Sequence, residues 1–135
     1  MNEQEVQQKY IEIQIIEQQM KEYQNDLTSL QMQINEMENL KESLEEIDKS
    51  KKDNEILTTL SPGVFIKTQL KSKDILMNVG SGVVVPKDIK EALEIIKDQT
   101  IKMHGIIHNL EKDMEIFMQH MINLQTELQE LLNKK

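Results

Sequence analysis

The sequence predicts an α+β fold: a long antiparallel coiled-coil helical hairpin with two central β-hairpins that assemble with strands of other subunits. Three observations lead there. Two heptad stripes of nearly equal length occupy the first and last thirds of the chain. A short middle segment switches to β-prone runs with turn residues between them. When the second stripe is reversed against the first, a positions meet d positions, as an antiparallel two-helix coil requires.

In the first stripe the a positions are Val6, Ile13, Met20, Leu27, Ile34 and Lys41, and the d positions are Lys9, Ile16, Tyr23, Leu30, Met37 and Leu44. Only the two lysines break it. Residues 2–52 contain no Gly or Pro, which predicts one uninterrupted helix. Leu40, Leu44 and Ile47 advance by four and three, out of phase with Lys41, and predict a local shift of the stripe. The polar run Asp48–Asn54 then ends the periodicity.

Four β-prone runs follow: 55–60, 64–70, 74–79 and 83–85. In the second, Val64, Ile66, Thr68 and Leu70 alternate with Phe65, Lys67 and Gln69, the period-two pattern of a half-buried strand. Ser61-Pro62-Gly63, Lys71-Ser72-Lys73-Asp74 and Gly80-Ser81-Gly82 supply turn chemistry between the runs. About thirty residues in four short strands do not bury a core alone, and a lone hairpin is marginal in water. Open edges also invite pairing with another chain. The segment therefore reads as an assembly module. Its expected contacts are Val64, Ile66, Leu70, Ile75, Met77, Val79, Val83 and Val85. Pro86 is expected to mark a helix entry, with Asp88 and Glu91 near its positive N-terminal dipole.

The second stripe has d positions Ile89, Ile96, Met103, Leu110, Phe117, Leu124 and Leu131, and a positions Leu93, Thr100, Ile107, Met114, Met121 and Leu128. Reversed against the first, it sets Val6 facing Leu131, Ile13 facing Leu124, Met20 facing Phe117, Leu27 facing Leu110 and Leu44 facing Leu93. A slip of seven residues preserves the pattern, so this register is one of a small set. Helices of roughly 45–50 residues would make a rod about 70 Å long, with both chain ends at one tip and the strands at the other. The chain then reads as one domain: residues 1–53 the first coil helix, 54–86 the strand module and 87–135 the second coil helix.

Composition narrows the function. Two Phe, two Tyr and no Trp are too few for an ordinary compact core, and the apolar residues are concentrated in the stripes. The net charge is −8 with no Arg, which discourages binding to nucleic acid or to an anionic membrane. Zero cysteine excludes disulfides, thiol catalysis and Cys-ligated zinc. No run of about 18 apolar residues is present, and the polar start MNEQEVQQ is unlike a signal peptide. A cytoplasmic protein is the expectation.

The stretch LSPGVFIKTQLKSKDILMNVGSGVVVPKDIKEALEII, residues 60–96, resembles the prefoldin family, and within it the α-type subunit of the archaeal kind. The similar elements are the turn Gly63 before the strand Val64-Phe65-Ile66-Lys67, the Gly80-Ser81-Gly82 turn after Val79, the strand Val83-Val84-Val85, and the helix start Asp88-Ile89-Lys90-Glu91-Ala92. Four strands fit the α type, since β-type subunits carry a single hairpin. Pro86 departs from the acidic residue unsurprising there. The resemblance implies a heterohexamer of two α and four prefoldin β subunits around a β-barrel base. It also implies ATP-independent capture of unfolded polypeptide clients and delivery to a group II chaperonin. The residues offer no nucleophile–base constellation, so neither an enzymatic activity nor a cofactor is expected.

The residues add a location. A two-helix coil needs apolar side chains only at a and d. Tyr10, Ile11 and Ile15 fall at e, f and c, and Ile122 and Leu132 at b and e, so apolar sites surround the tip on several faces. Fraying there would also expose the seam residues Ile13, Ile16, Leu124, Leu128 and Leu131. Met103, Met114, Met118 and Met121 add flexible side chains, although three of these four sit in the seam and serve coil packing. His104 and His108 at i, i+4 with Glu111 form a metal-like spacing. HGIIH lacks the internal Glu of HExxH, and a solvated coil surface explains the set. Gly105 between them marks an expected soft spot in the helix. Gly80-Ser81-Gly82 lacks the Gly-Lys-Ser/Thr of a phosphate loop. The alternative to a chaperone is a structural coiled-coil adaptor, whose strands oligomerise and whose helices bind one folded partner.

Overall fold

A computed structural model describes residues 2–134 and orders them as α1 (Asn2–Lys49), β1 (Glu55–Ser61), β2 (Val64–Gln69), β3 (Ile75–Gly80), β4 (Val83–Lys87) and α2 (Ile89–Asn133). This is the expected pair of long helices with two β-hairpins between them. The chain divides into two compact units. One is built from residues 2–33 and 102–134 of the two helices, the other from Ile34–Ile101.

In the first unit the helices run antiparallel. Lys9 pairs with Glu127, and Tyr23 meets Phe117, so positions rise along α1 as they fall along α2. Its core holds Ile13, Ile16, Met121, Leu124 and Leu128, with Val6, Met20 and Phe117 packed against it. All are a or d positions. In α1 up to residue 43, every described side chain that is not exposed lies on the expected stripe. The register agrees as well: Lys9 occupies a d site expected opposite Leu128, and its ammonium reaches the adjacent Glu127 carboxylate at 2.5 Å. A seven-residue slip would separate these two. The helix is continuous through Gly105, and a Cβ added there meets only open space.

The second unit joins the coil base to the strands. Leu44, Ile89, Ala92 and Ile96 form its buried core, and Met37, Ile47, Leu93 and the β3 residues Ile75 and Met77 pack onto it. The expected shift of the stripe takes a different form. Leu40 is exposed, and the seam runs from Met37 to Leu44 in one seven-residue step. A helix turning 100° per residue places Leu40 on the flank of that line. Ile47 lies on the same flank, but it joins the cluster that β3 also contacts.

β1 and β2 form one antiparallel two-stranded sheet and β3 and β4 another. Each is closed by the turn its sequence specifies. Pro62 and Gly63 connect β1 to β2, with Gly63 at φ +81°, the positive value a type II turn requires at its third residue. Ser81 and Gly82 connect β3 to β4 with φ of +52° and +74°, the two positive values of a type I′ turn. The start of the first hairpin is tied down by Asp53, whose N–H donates to the Leu70 carbonyl at 2.7 Å. Asp53 adopts φ +67° to do so. Lys73, in the link between the hairpins, donates to the Asp48 carbonyl near the C-terminus of α1, where a cation is favourable.

Pro86 lies inside β4 opposite Leu76 and does not open the helix. Its fixed φ suits an extended chain, and a two-stranded ladder leaves alternate N–H groups unused. Asp88 is the N-cap: its Oδ1 accepts from the Glu91 N–H at 2.7 Å.

Candidate functional surfaces

Two exposed apolar surfaces stand out, one in each unit. In the coil unit, Tyr10, Ile11, Ile15, Ile122 and Leu132 are all exposed, with Ile15 retaining 54% of its accessible area. Heptad geometry explains this, because c, e, f and b positions face away from the seam. Ile13, Ile16, Leu124 and Leu128 are buried in the seam, and Leu131 is half-buried. α1 is helical from Asn2 and α2 as far as Asn133, so the expected fraying is not part of this structure. The seam residues hold the coil together, and the off-seam residues are the ones a second polypeptide can reach.

Ile106, Ile116 and Met118 are also exposed. Sequence reasoning did not name the two isoleucines, although the same off-seam rule selects them. Ile116 shows 65% of its area. Long aliphatic side chains left in water at this density mark an interaction surface better than scattered single residues would.

Lys9 is the charged seam residue of the coil unit. Its hydrogen bond with Glu127 raises the ammonium's pKa above the ordinary lysine value, and desolvation opposes that shift. The pair does no chemistry; it positions the coil end.

In the second unit the hairpins present most of their apolar residues to solvent. Val64, Ile66, Val79 and Val83 are exposed. Leu70 is buried, and Ile75, Met77 and Val85 are half-buried, with Ile75 and Met77 packed on the coil-base core. The expected assembly set thus splits into side chains covered within the chain, of which Ile75 and Met77 attach β3 to the coil base, and side chains left free. Leu57, Leu60, Phe65, Leu76 and Val84 are exposed too. Leu76 retains 71%. The signal for them was present in Ile75-Leu76-Met77 and Val83-Val84-Val85, where apolar residues occupy both faces of a strand. That pattern belongs to strands covered on both sides.

His104, His108 and Glu111 lie on the exposed surface of α2. Among the described residues no group of three or more His, Cys, Asp or Glu side chains is arranged to hold a metal ion. No described helix is long and apolar enough to cross a membrane.

The two long helices and the two hairpins have counterparts among known proteins. The family described as Prefoldin subunit matches residues 16–134. The chain belongs to the prefoldin family. The prefoldin subunit alpha of Archaeoglobus fulgidus is 34% identical over 131 residues, covering 96% of this chain and 93% of the relative. That of Methanococcus aeolicus is 29% identical over 134 residues, covering 96% and 90%. Among solved structures, filamentous prefoldin from Methanocaldococcus jannaschii superposes with a TM-score of 0.74, covering 85% of this chain and 96% of that one. At 15% identity this likeness speaks to the fold: prefoldin helices and hairpins recur on a largely different set of side chains.

Proposed function

We propose that this chain is the α-type subunit of a prefoldin heterohexamer, two copies assembling with four β-type subunits through a shared β-barrel. Its coil tips capture non-native polypeptides without a nucleotide cycle and pass them to a group II chaperonin in the cytoplasm. The protein acts as a binder, and no catalytic step is assigned to it. The observation that carries the reading is the exposed aliphatic surface of the coil unit: Tyr10, Ile11, Ile15, Ile122 and Leu132 surround the coil on several faces. Apolar contacts distributed in this way suit chains of many sequences and no single shape, whereas an adaptor for one folded partner calls for one coherent face. The exposed strand residues support the assembly half of the reading, since neither two-stranded sheet covers its own apolar side chains.

The test is suppression of aggregation. A protein lacking about 12 residues at each end loses part of the coil unit and retains Ile34–Ile101 intact. It should assemble with β-type subunits and protect a diluted, unfolded client less well by light scattering. The triple change Ile11→Ser, Ile15→Ser and Ile122→Ser should act in the same direction at full length. Each isoleucine contributes roughly 1.5–3 kcal/mol when a client buries it fully. Equal protection by the wild-type and altered hexamers would move client binding away from the tips.

A further inference from the structure

Both helices of the coil unit turn an uncharged face away from the seam. In α1 the b, c and f positions from residue 7 to residue 18 are Gln7, Gln8, Ile11, Gln14, Ile15 and Gln18, all exposed. In α2 those from residue 116 to residue 129 are Ile116, Gln119, Ile122, Asn123, Thr126 and Gln129, again all exposed. The charges of the same two stretches are Lys9, Glu12, Glu17 and Glu127, and each lies in the seam or on its flanks. Outward charge returns with Lys21 and Glu22 on α1 and with Glu115 and Glu130 on α2. A solvated helix face ordinarily carries Lys and Glu, whose stems also cover neighbouring aliphatic side chains. Here carboxamides stand beside the isoleucines and leave them open. A depression of about 380 Å³ lies on the α2 face among Ile122, Gln125, Thr126, Gln129, Glu130 and Asn133, and Glu130 is its one charged wall.

Building on client capture at the coil end, we propose that these faces bind the main chain of an extended, uncharged polypeptide segment. The carboxamides pair with its peptide groups, while Ile11, Ile15, Ile116 and Ile122 cover its apolar side chains. A carboxamide carries two N–H donors and a carbonyl acceptor, the same chemistry as the peptide group itself. Both partners are neutral, so the pairing takes no charge out of water. A charged segment finds no counter-charge on these faces. Gln7 to Gln18 spans about 16 Å of helix, the length of about five residues of extended chain. A helical or otherwise folded partner has its main chain already paired and offers the carboxamides nothing. The face therefore separates unfolded from folded chains without reading side-chain sequence. A second copy of this chain is a poorer occupant: its coil is helical, and two chains of net charge −8 repel.

The experiment uses the full chain and two fluorescent peptides of about nine residues, enough to cover one face in extended form. Both have one uncharged sequence of Thr, Val and Leu, and one of them is N-methylated at alternate peptide bonds. The unmethylated peptide should bind the wild-type chain about tenfold more tightly in anisotropy titrations, the scale of two net hydrogen bonds. Gln7→Met, Gln14→Met, Gln18→Met and Gln129→Met together should bring the two affinities together, with circular dichroism checking that the helices persist, since Met and Gln have similar helix propensity. Ile11→Ser, Ile15→Ser and Ile122→Ser should weaken both peptides and keep their ratio. Equal affinity of the two peptides for the wild-type chain, or a ratio unchanged by the four methionines, would overturn main-chain recognition while leaving capture at the tips in place. Peptides indifferent to the three serines would overturn capture at the tips, and main-chain recognition with it. Concentration-dependent self-association lost on Gln14→Glu with Gln18→Glu would also overturn the proposal, in favour of a second copy on this face.

Discussion

Single residues set the coil's register and its local stiffness. Lys9 sits where an aliphatic residue would pack better, and its partner Glu127 lies on the other helix. A charged residue at one core position lowers stability and favours one alignment. Lys9→Leu should therefore raise the thermal midpoint, because an aliphatic side chain at this partly covered seam site withdraws apolar surface from water. The same change should let disulfide-trapped variants capture slipped registers. The pH dependence has a definite sign. The ammonium's pKa is raised in the folded state above its ordinary 10.5, so the pair's contribution is fully present below that pH and is lost as pH rises through the folded value. Melts that compare wild type with Lys9→Leu should show a constant difference from neutral pH to about 9.5 and a widening one above 10.5. Gly105 gives the opposite kind of prediction. It is helical, with room for a methyl group. Gly105→Ala should stabilise α2 by about 0.5–1 kcal/mol in urea titrations. No gain would mean that the helix bends or opens at this position in solution.

At the scale of elements, the hairpins divide their side chains between two tasks. Ile75 and Met77 attach β3 to the coil base, and the opposite face of the same hairpin carries Leu76 and Val84 in the open. In β2 the face that includes Thr68 and Leu70 is covered only at that end, and Val64 and Ile66 on the same face remain exposed. This separation makes a clean test of assembly. Ile66→Asp with Leu76→Asp alters two exposed positions, so the single chain should keep its helical signal. Placing both carboxylates in a shared sheet costs several kcal/mol, and the oligomer should dissociate. Mass photometry at micromolar concentration reads the outcome. An intact oligomer would place the assembly contacts in the coils. Val85→Asp is a poorer probe, because that side chain is half-buried within its own chain.

For the whole molecule, the neutral middle and the acidic helices make one prediction about stoichiometry. Residues 53–86 balance three lysines against three acids, whereas the first 52 residues carry six lysines against twelve acids. Strand modules can therefore approach one another without charge repulsion, while bare acidic coils repel. Mixed with a β-type partner, the chain should give a discrete species of two copies with four partner chains by native mass spectrometry. That species should persist from low to moderate salt, because its contacts are apolar. Open-ended growth of this chain alone would instead align its assembly with the filamentous relative and overturn the closed hexamer.

The helices, their antiparallel pairing and the places of the turns were legible because each rests on local chemistry or on a repeat. A seven-residue spacing dictates which side chains share a helix face, and Pro62-Gly63 and Ser81-Gly82 dictate backbone conformations within two residues. The off-seam isoleucines of the coil were legible for the same reason. What escaped the sequence depended on elements meeting. The place of Pro86 inside β4 follows from its pairing with Leu76. The exposure of Leu40 beside a packed Ile47 follows from which flank of α1 the second unit's core includes. The division of the second hairpin's residues into attached and free follows from which face of β3 lies against the coil base. A strand's alternation identifies two faces, but only packing decides which of them is covered.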